Sequence, residues 1–297
     1  MIKVAVVGYG NVGRYAVQAV RAASDLQLVG VVRSSDGIVP PELEGLPVVS
    51  HVSCLPEKPQ VVLLCVPSRT VPSLAPIYLS QGICTVDSFD VHPQIWETRL
   101  QLEAVAKTHG VAAILSAGWD PGTDSVVRAL MEVCTPKGLT YTDFGPGMSM
   151  GHTVAVKKIA GVHKALSMTI PLGTGLHRRM VYVELEPGCS LQAVTEAVLQ
   201  DPYFAQDETH VIQVPSVDAL LDMGHGVHMV RKGVSGITQN QHLAFDMSIN
   251  NPALTAQILV GAARAVLLRK PGCYTLLEVP VADLLPGTLQ EKIVRMV

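Results

Sequence analysis

The chain has 297 residues, 48% of them hydrophobic and 16% charged, with a formal net charge of −3 at pH 7. That balance describes a folded globular protein longer than one typical domain and excludes intrinsic disorder. With no general basic field and an aromatic fraction of 4%, nucleic acid is not an expected partner.

The apolar runs, such as that over residues 61–66, fall well short of the roughly 18–20 residues a membrane-spanning helix needs, so no membrane partner is expected. The apolar run after Lys3 stops at Gly8 with no cleavage-type site behind it, which makes a cytoplasmic location the expectation. The 6 cysteines form no C-x-x-C pair, so neither a zinc knuckle nor a disulfide framework is written here. Cys65 and Cys84 sit in or beside β-branched runs, where a thiol serves as a small hydrophobe.

In chain order, the pattern predicts a strand over 4–7, a helix over about 11–22, strands over 28–32 and 61–66, and a helix near 71–81. A short strand at 85–86, a helix through 92–109 and a strand over 111–115 follow. Strands that alternate with helices of this length, several apolar throughout, point to an α/β fold with a Rossmann-type doubly wound parallel sheet. From Gly118 the texture changes, to the turn Gly118-Trp119-Asp120-Pro121-Gly122 and a helix running through Met131. A glycine-rich stretch, Phe144 to His152, comes next. Strands over 179–185 and 209–214, separated by a helix near 191–199, suggest a second, α+β domain. An Ala-rich helix over 251–268 and a run over 274–279 are expected to return to the first domain. The domains are therefore expected to be 1–117, completed by about 252–297, for dinucleotide binding, and 118–251 for substrate.

Gly8-Tyr9-Gly10-Asn11-Val12-Gly13 follows the first strand and opens the first helix, the context in which a G-x-G-x-x-G pattern is informative. Its first glycine permits the tight turn, its second lets backbone approach a pyrophosphate, and its third lets helix and strand pack closely. The helix N-terminus favours the phosphate charge. The second strand ends not in a carboxylate but in Arg33-Ser34-Ser35. A guanidinium and hydroxyls suit a ribose 2′-phosphate, so NADP is predicted over NAD. Cys65-Val66-Pro67-Ser68, Ser88-Phe89-Asp90 and Ala117-Gly118-Trp119-Asp120-Pro121 lie at or just beyond the ends of later strands. Ligands bind at that edge of such sheets, so these segments are further candidates to line the cofactor site.

Asp90 and Asp120 follow strands on this same edge. Two carboxylates there suit a substrate ammonium, by charge pairing and by accepting its proton. His152 has an intrinsic pKa suited to proton transfer and is taken as an auxiliary acid or base, or as a group that orients a catalytic carboxylate. His225 and His228 lack an evident third ligand, so no metal is expected.

The glycine loop, the segment Cys84 to His92, Gly118 to Gly122, Phe144 to His152 and Met223-Gly224-His225-Gly226-Val227-His228 together resemble the meso-diaminopimelate dehydrogenase family through nearly the whole chain. The resemblance implies an NADP-dependent oxidoreductase of lysine biosynthesis that reversibly deaminates the D-centre of meso-2,6-diaminopimelate, with ammonia as co-product. It implies a homodimer, with the second domain also serving dimerisation. By position, Asp90 and Asp120 hold the reacting amino group, and Trp119, Phe144, Met150 and Gly151 shape the pocket. Thr169, Arg179, His225 and Asn251 match the remaining substrate positions, with Arg179 the natural partner of a carboxylate. The sequence departs from the pattern at Phe144, where some members carry Trp, and in a short stretch over 171–177. Both departures suggest room for other 2-oxo acids, that is, a broader D-amino acid dehydrogenase.

Three rivals stand beside this reading. Glu57-Lys58-Pro59 matches the motif of the Gfo/Idh sugar dehydrogenases by letters, but it precedes a strand where that motif should follow one. Dihydrodipicolinate reductases carry a basic substrate signature that is absent here. A non-catalytic NADP sensor would have the same fold, but it has no need of two carboxylates and Arg179.

Overall fold

The structure is a computed structural model that describes residues 1–34, 39–221 and 224–297. Its elements begin with β1 (Ile2–Val7), α1 (Asn11–Ala22), β2 (Leu26–Val32), β3 (Val48–Val49), β4 (Val61–Leu64), α2 (Val71–Ser80), β5 (Cys84–Asp87), α3 (Ile95–His109) and β6 (Ala112–Ile114). They continue with α4 (Thr123–Cys134), β7 (Lys137–Phe144), β8 (Gly147–Met148), α5 (Met150–Val156), β9 (Val162–Gly173), β10 (Leu176–Leu185), α6 (Leu191–Gln200) and β11 (Glu208–Gln213). Last come β12 (Gly224–Ser235), β13 (Thr238–Asn250), α7 (Asn251–Val266) and β14 (Gly272–Tyr274). The chain divides into two compact units, Met1–Val126 with Pro252–Val297, and Val127–Asn251.

The first unit is built on a parallel sheet of order β14-β6-β5-β4-β1-β2-β3. Its strand order reverses beside β1, the switch point at which a doubly wound sheet binds ligands. Alternate residues of one strand serve two cores, because successive side chains leave a strand on opposite faces. Val4 and Val6 pack with Ala16, Val17 and Val20 of α1 and with Leu259 and Ala263 of α7. Ala5 and Val7 pack with Ala75 and Leu79 of α2 and with Leu102 and Ala106 of α3. Both faces of the sheet are thus covered, which is why its central strand, β4, is apolar at every position.

Some expected boundaries shift. The strand expected over 61–66 ends at Leu64, and the helix expected from His92 opens as a 3-10 turn, His92–Gln94. The run at 274–279 is a strand only to Tyr274, after which Thr275 and Glu278 form a capping box around a 3-10 turn, Leu276–Glu278. The first unit runs on to Val126 where the sequence suggested a boundary after Ala117. The turn that follows Ala117 is bonded back on itself: Thr123 N donates to Gly118 O at 3.2 Å and Asp124 N to Trp119 O at 2.9 Å.

The second unit holds two sheets, β11-β10-β9-β8 and the antiparallel β13-β12-β7. Gly145-Pro146-Gly147 links them: Gly145 N donates to Gly226 O of β12 at 2.9 Å, while Gly147 pairs with Thr169 of β9. Gly147 has no room for a side chain, since a Cβ there would lie 2.2 Å from Gly224 O. α5 and α6 bury Val156, Val194 and Val198 with Val181 and Val183 of β10. Arg231, 4% exposed, is held by Thr135 O at 2.6 Å and by Thr140 Oγ1 at 2.7 Å, which satisfies a buried charge.

Candidate active site

The glycine loop has the shape its sequence predicts. Gly8 adopts φ +89°, and a Cβ there would lie 2.3 Å from Cys65 O; a Cβ on Gly13 would lie 2.3 Å from Gly8 O. At Gly10, by contrast, nothing lies within 4 Å of where a Cβ would stand. Two glycines are thus consumed by packing and the middle one faces open space, as a cradle for a pyrophosphate requires. Gly10 caps α1 without any side-chain bond, so the N–H groups of Asn11 and Val12 head a 12-residue helix. The residues therefore fit a dinucleotide.

Arg33 lies just beyond β2, its backbone N–H bound to Val49 O at 2.9 Å, and Ser34 is exposed beside it. Ser35 lies outside the described residues. The charges of Arg14, Arg21 and Arg33 all act on the Tyr9 phenol, although burial and Glu42 raise its pKa overall. Arg14 also stacks over the Tyr9 ring at 5.8 Å. The sequence reading missed Arg14, which sits one residue past the glycine motif and was legible as a cation on the first turn of α1. Cys65 bonds back into the sheet through its N–H to Val7 O at 2.8 Å, and burial pushes its thiol pKa up to about 12. It is a neutral small residue under Gly8, followed by Val66, Pro67 and Ser68. All 6 cysteines are free.

Two loops at the carboxyl edge of the same sheet carry the candidate carboxylates. Ser88-Phe89-Asp90 leaves β5, with Phe89 fully buried, and Ala117-Gly118-Trp119-Asp120-Pro121 follows β6, with Trp119 6% exposed. Asp90 and Asp120 are both half-buried. Each aspartate therefore stands on a loop anchored by a buried aromatic neighbour, so its position is set by packing.

The remaining candidates, Phe144, Met150, Gly151, His152, Thr169, Arg179, His225 and Asn251, all belong to the second unit. Arg179 and Thr169 are cross-strand partners on β10 and β9. Arg179 Nη1 donates to Thr169 Oγ1, and Arg179 Nε donates to Asp207 Oδ2 at 2.6 Å. This pair fixes the plane of the guanidinium. Asp207 was not singled out in the sequence, where an acidic residue in a loop has no distinguishing neighbour. His177 was missed as well: its Nε2 accepts from Phe144 N at 2.8 Å, and its ring packs against Phe144 with centroids 5.6 Å apart. Burial and Arg179 lower the His177 pKa, which keeps it an acceptor. Asn251 Nδ2 donates to Met148 O at 3.2 Å, holding the short strand that precedes Met150 and Gly151.

His152 is a different matter. Its Nδ1 bonds Ser149 Oγ at 2.7 Å, its Nε2 bonds Tyr203 O at 2.9 Å, and its ring stands edge-on to Tyr203 and Phe204. Burial, reinforced by Arg179, holds its pKa down to about 3. These contacts describe a neutral, packed histidine and count against the auxiliary acid–base role expected from the sequence. His225 is buried on β12, its pKa lowered mainly by burial, and its Nδ1 accepts from Gly226 N at 2.8 Å. His228 is exposed and pairs with Asp246 at 2.5 Å. Three residues apart on a strand, the two rings leave on opposite faces.

A doubly wound sheet with a glycine cradle, two carboxylates on its carboxyl edge, and a separate unit carrying an oriented arginine define a two-unit, nucleotide-dependent amino-acid oxidoreductase. Comparison with known proteins makes this specific. A family profile described as the diaminopimelic acid dehydrogenase C-terminal domain matches residues 118–178, and one described as a CoA binding domain matches 1–89. The chain is 58% identical over 297 residues to the meso-diaminopimelate D-dehydrogenase of Bacteroides fragilis, covering 100% of this chain and 99% of that one. It is 30% identical over 323 residues to its counterpart from Corynebacterium glutamicum, covering 99% and 98%. Among solved structures, C. glutamicum DAP dehydrogenase in complex with DAP superimposes with a TM-score of 0.88 at 28% identity, covering 100% of this chain and 99% of that one. An engineered D-amino acid dehydrogenase bound to NADP+ gives 0.89 at 27% identity, with the same coverage. The chain belongs to the meso-diaminopimelate D-dehydrogenase family.

Proposed function

We propose that this protein catalyses the NADP-dependent, reversible oxidative deamination of the D-centre of meso-2,6-diaminopimelate. Water and NADP+ are consumed; L-2-amino-6-oxopimelate, which cyclises to tetrahydrodipicolinate, is released with ammonia, NADPH and a proton. The observation that carries this reading is the placement of Asp90 and Asp120 on adjacent loops of the sheet edge that also presents the glycine cradle.

Gly8 to Gly13 would hold the pyrophosphate of NADP, and Arg33, with Arg14 beside Tyr9, its 2′-phosphate. NADP, when bound, supplies the acceptor for the hydride that leaves the D-centre α-carbon. Asp90 and Asp120 pair with the substrate ammonium and take its proton, leaving the nitrogen lone pair free to assist hydride loss. The second carboxylate, still ionised, would act as the base for the water that hydrolyses the imine. Arg179, its plane fixed by Asp207 and Thr169, binds a substrate carboxylate. Trp119 is assigned to substrate binding from the first unit, and Phe144, Met150, Gly151, His225 and Asn251 from the second. His152 supports this site by packing and not by proton transfer.

The protein works in the cytoplasm as a homodimer through its second unit. Among the described residues no helix is long and apolar enough to cross a membrane.

The test is a spectrophotometric assay of NADP reduction with meso-diaminopimelate beside its L,L and D,D isomers. Turnover with the meso compound and none with the L,L isomer is expected; absence of NADP reduction with the meso compound overturns the reading. A broader specificity is supported by the tight turn at Gly173, Thr174 and Gly175, which ends the β9–β10 hairpin just before His177 meets Phe144. Reductive amination of pyruvate or phenylpyruvate tests it, and rates no higher than background count against it.

A further inference from the structure

Asp87, the last residue of β5, belongs to no part of the site described so far, yet it is fully buried. Its Oδ1 accepts two backbone N–H groups, from Phe89 at 2.9 Å and from Ser116 at 3.1 Å. Its own carbonyl accepts a third, from Ala117 N at 2.6 Å. One residue therefore bonds both loops: Phe89 precedes Asp90, and Ser116 and Ala117 lead to Gly118-Trp119-Asp120. A further sign that the second loop is held under constraint is Ser116 itself, a non-glycine residue at φ +58°. Such a conformation persists only where the surroundings over-determine it, and it is characteristic of functional sites. The accepting carboxylate fixes the N–H of that strained residue.

Asp87 Oδ2, Thr85 Oγ1 and Ser116 Oγ are buried with no hydrogen-bond partner among the described residues. Thr85 and Asp87 lie two apart on β5 and so share a face of the strand, on which Ala113 and Cys273 of the neighbouring strands are also buried.

We infer that Asp87 is a positioning residue that fixes the spacing of Asp90 and Asp120 by bridging the loops that carry them. The inference rests on the reading of those two aspartates as the groups that hold the substrate amine. Burial raises the Asp87 pKa to about 7. What the site requires of Asp87 is its accepting oxygen, and asparagine retains one.

The experiment compares Asp87→Leu, which fills the space but accepts nothing, with Asp87→Asn, which keeps a carbonyl oxygen. Misplacing reacting groups by about 1 Å costs on the order of 100-fold, so the leucine variant is expected to lose about 10- to 100-fold in kcat with meso-diaminopimelate. Its NADP Kd, measured by fluorescence titration, should stay within about twofold of the parent, because the glycine cradle is untouched. Asp87→Asn should recover kcat to within about threefold. If the leucine variant does not fold, Asp87→Ser, whose shorter hydroxyl cannot span both amides, replaces it with the same expectation. Parental kcat in the leucine or serine variant overturns the inference, as does an asparagine variant that falls as far as they do. Asp90→Ala and Asp120→Ala run alongside. Full activity in those two refutes the amine-binding reading itself, whereas their inactivity with an undiminished Asp87→Leu refutes only the bridge.

Discussion

Replacing Arg179 by methionine tests the second unit's part in substrate binding. The guanidinium spends its Nε proton on Asp207 at 2.6 Å and an Nη1 proton on Thr169, and among the described residues no bond engages Nη2. The side chain is 14% exposed, so a substrate carboxylate meeting Nη2 does so in a partly desolvated setting. A hydrogen bond to a charged group is worth about 1.5–3 kcal/mol, and a fork geometry provides one or two. Loss of about 2–4 kcal/mol corresponds to roughly 30- to 1000-fold in kcat/KM. Most of this should appear in KM, because the carboxylate is bound alike in ground and transition states. The Asp207 pair is lost as well, at about 1 kcal/mol, for a fall in Tm of about 2–4 °C. Steady-state kinetics with meso-diaminopimelate, an NADP titration and a thermal melt measure the three effects. A kcat/KM within threefold of the parent, or an NADP affinity that falls in parallel with it, refutes the assignment.

Three further outcomes follow from the first unit and from His152. Asp120→Asn is isosteric but cannot accept the ammonium proton, so turnover should fall by about 100-fold or more with NADP affinity unchanged; undiminished turnover would show that Asp120 takes no proton. Arg33→Ala removes a cation from the end of β2, so NADP affinity should drop at least tenfold while NAD affinity stays constant, and an equal loss for both nucleotides would mean that the arginine reads no 2′-phosphate. His152 is neutral in both folded and unfolded states above pH 6.5. As pH falls from there towards about 3, the unfolded chain takes up a proton that the folded one refuses, so stability declines on the acid side. Between pH 7.5 and 5 this contributes up to about 2 kcal/mol, and urea unfolding of His152→Gln should show a pH dependence flatter by that amount. An unchanged pH dependence would refute the buried neutral state.

The first unit was legible because its physics is local. A parallel sheet covered on both faces writes unbroken apolar strands such as 61–64, and the long helix α3 ends on the left-handed Gly110. The glycine loop was legible for the same reason, since steric need and residue type coincide at Gly8 and Gly13. Much of the second unit escaped. β9, β12 and β13, each 12 or 13 residues long, were not read as strands. β13 did carry a signal, with Leu243, Phe245, Met247 and Ile249 half-buried and their intervening neighbours exposed, a clean period of two. β12 lacked one: its inward positions include His225 and a buried Arg231, whose partners Thr135 and Thr140 lie some 90 residues away in sequence. No local pattern encodes a polar core that is satisfied only across the fold.

The same distinction separates the residues the sequence singled out from those it did not. Asp90 and Asp120 stand in segments whose composition is unusual, so a reader of the sequence meets them, and Arg179 is met through the family resemblance. Asp207, His177 and Asp87 act through bonds to backbone or to another side chain, and although Asp87 and His177 fall in segments that drew notice, nothing in the sequence shows which partners they bond. His152 shows the converse case, because a histidine beside a glycine-rich turn suggests chemistry, whereas both of its nitrogens are engaged by Ser149 and Tyr203. Residues that touch a ligand are constrained by the ligand's chemistry and can be guessed from type. Residues that position them are constrained by geometry, and only the fold brings Asp87 against Ser116, 29 positions further along the chain.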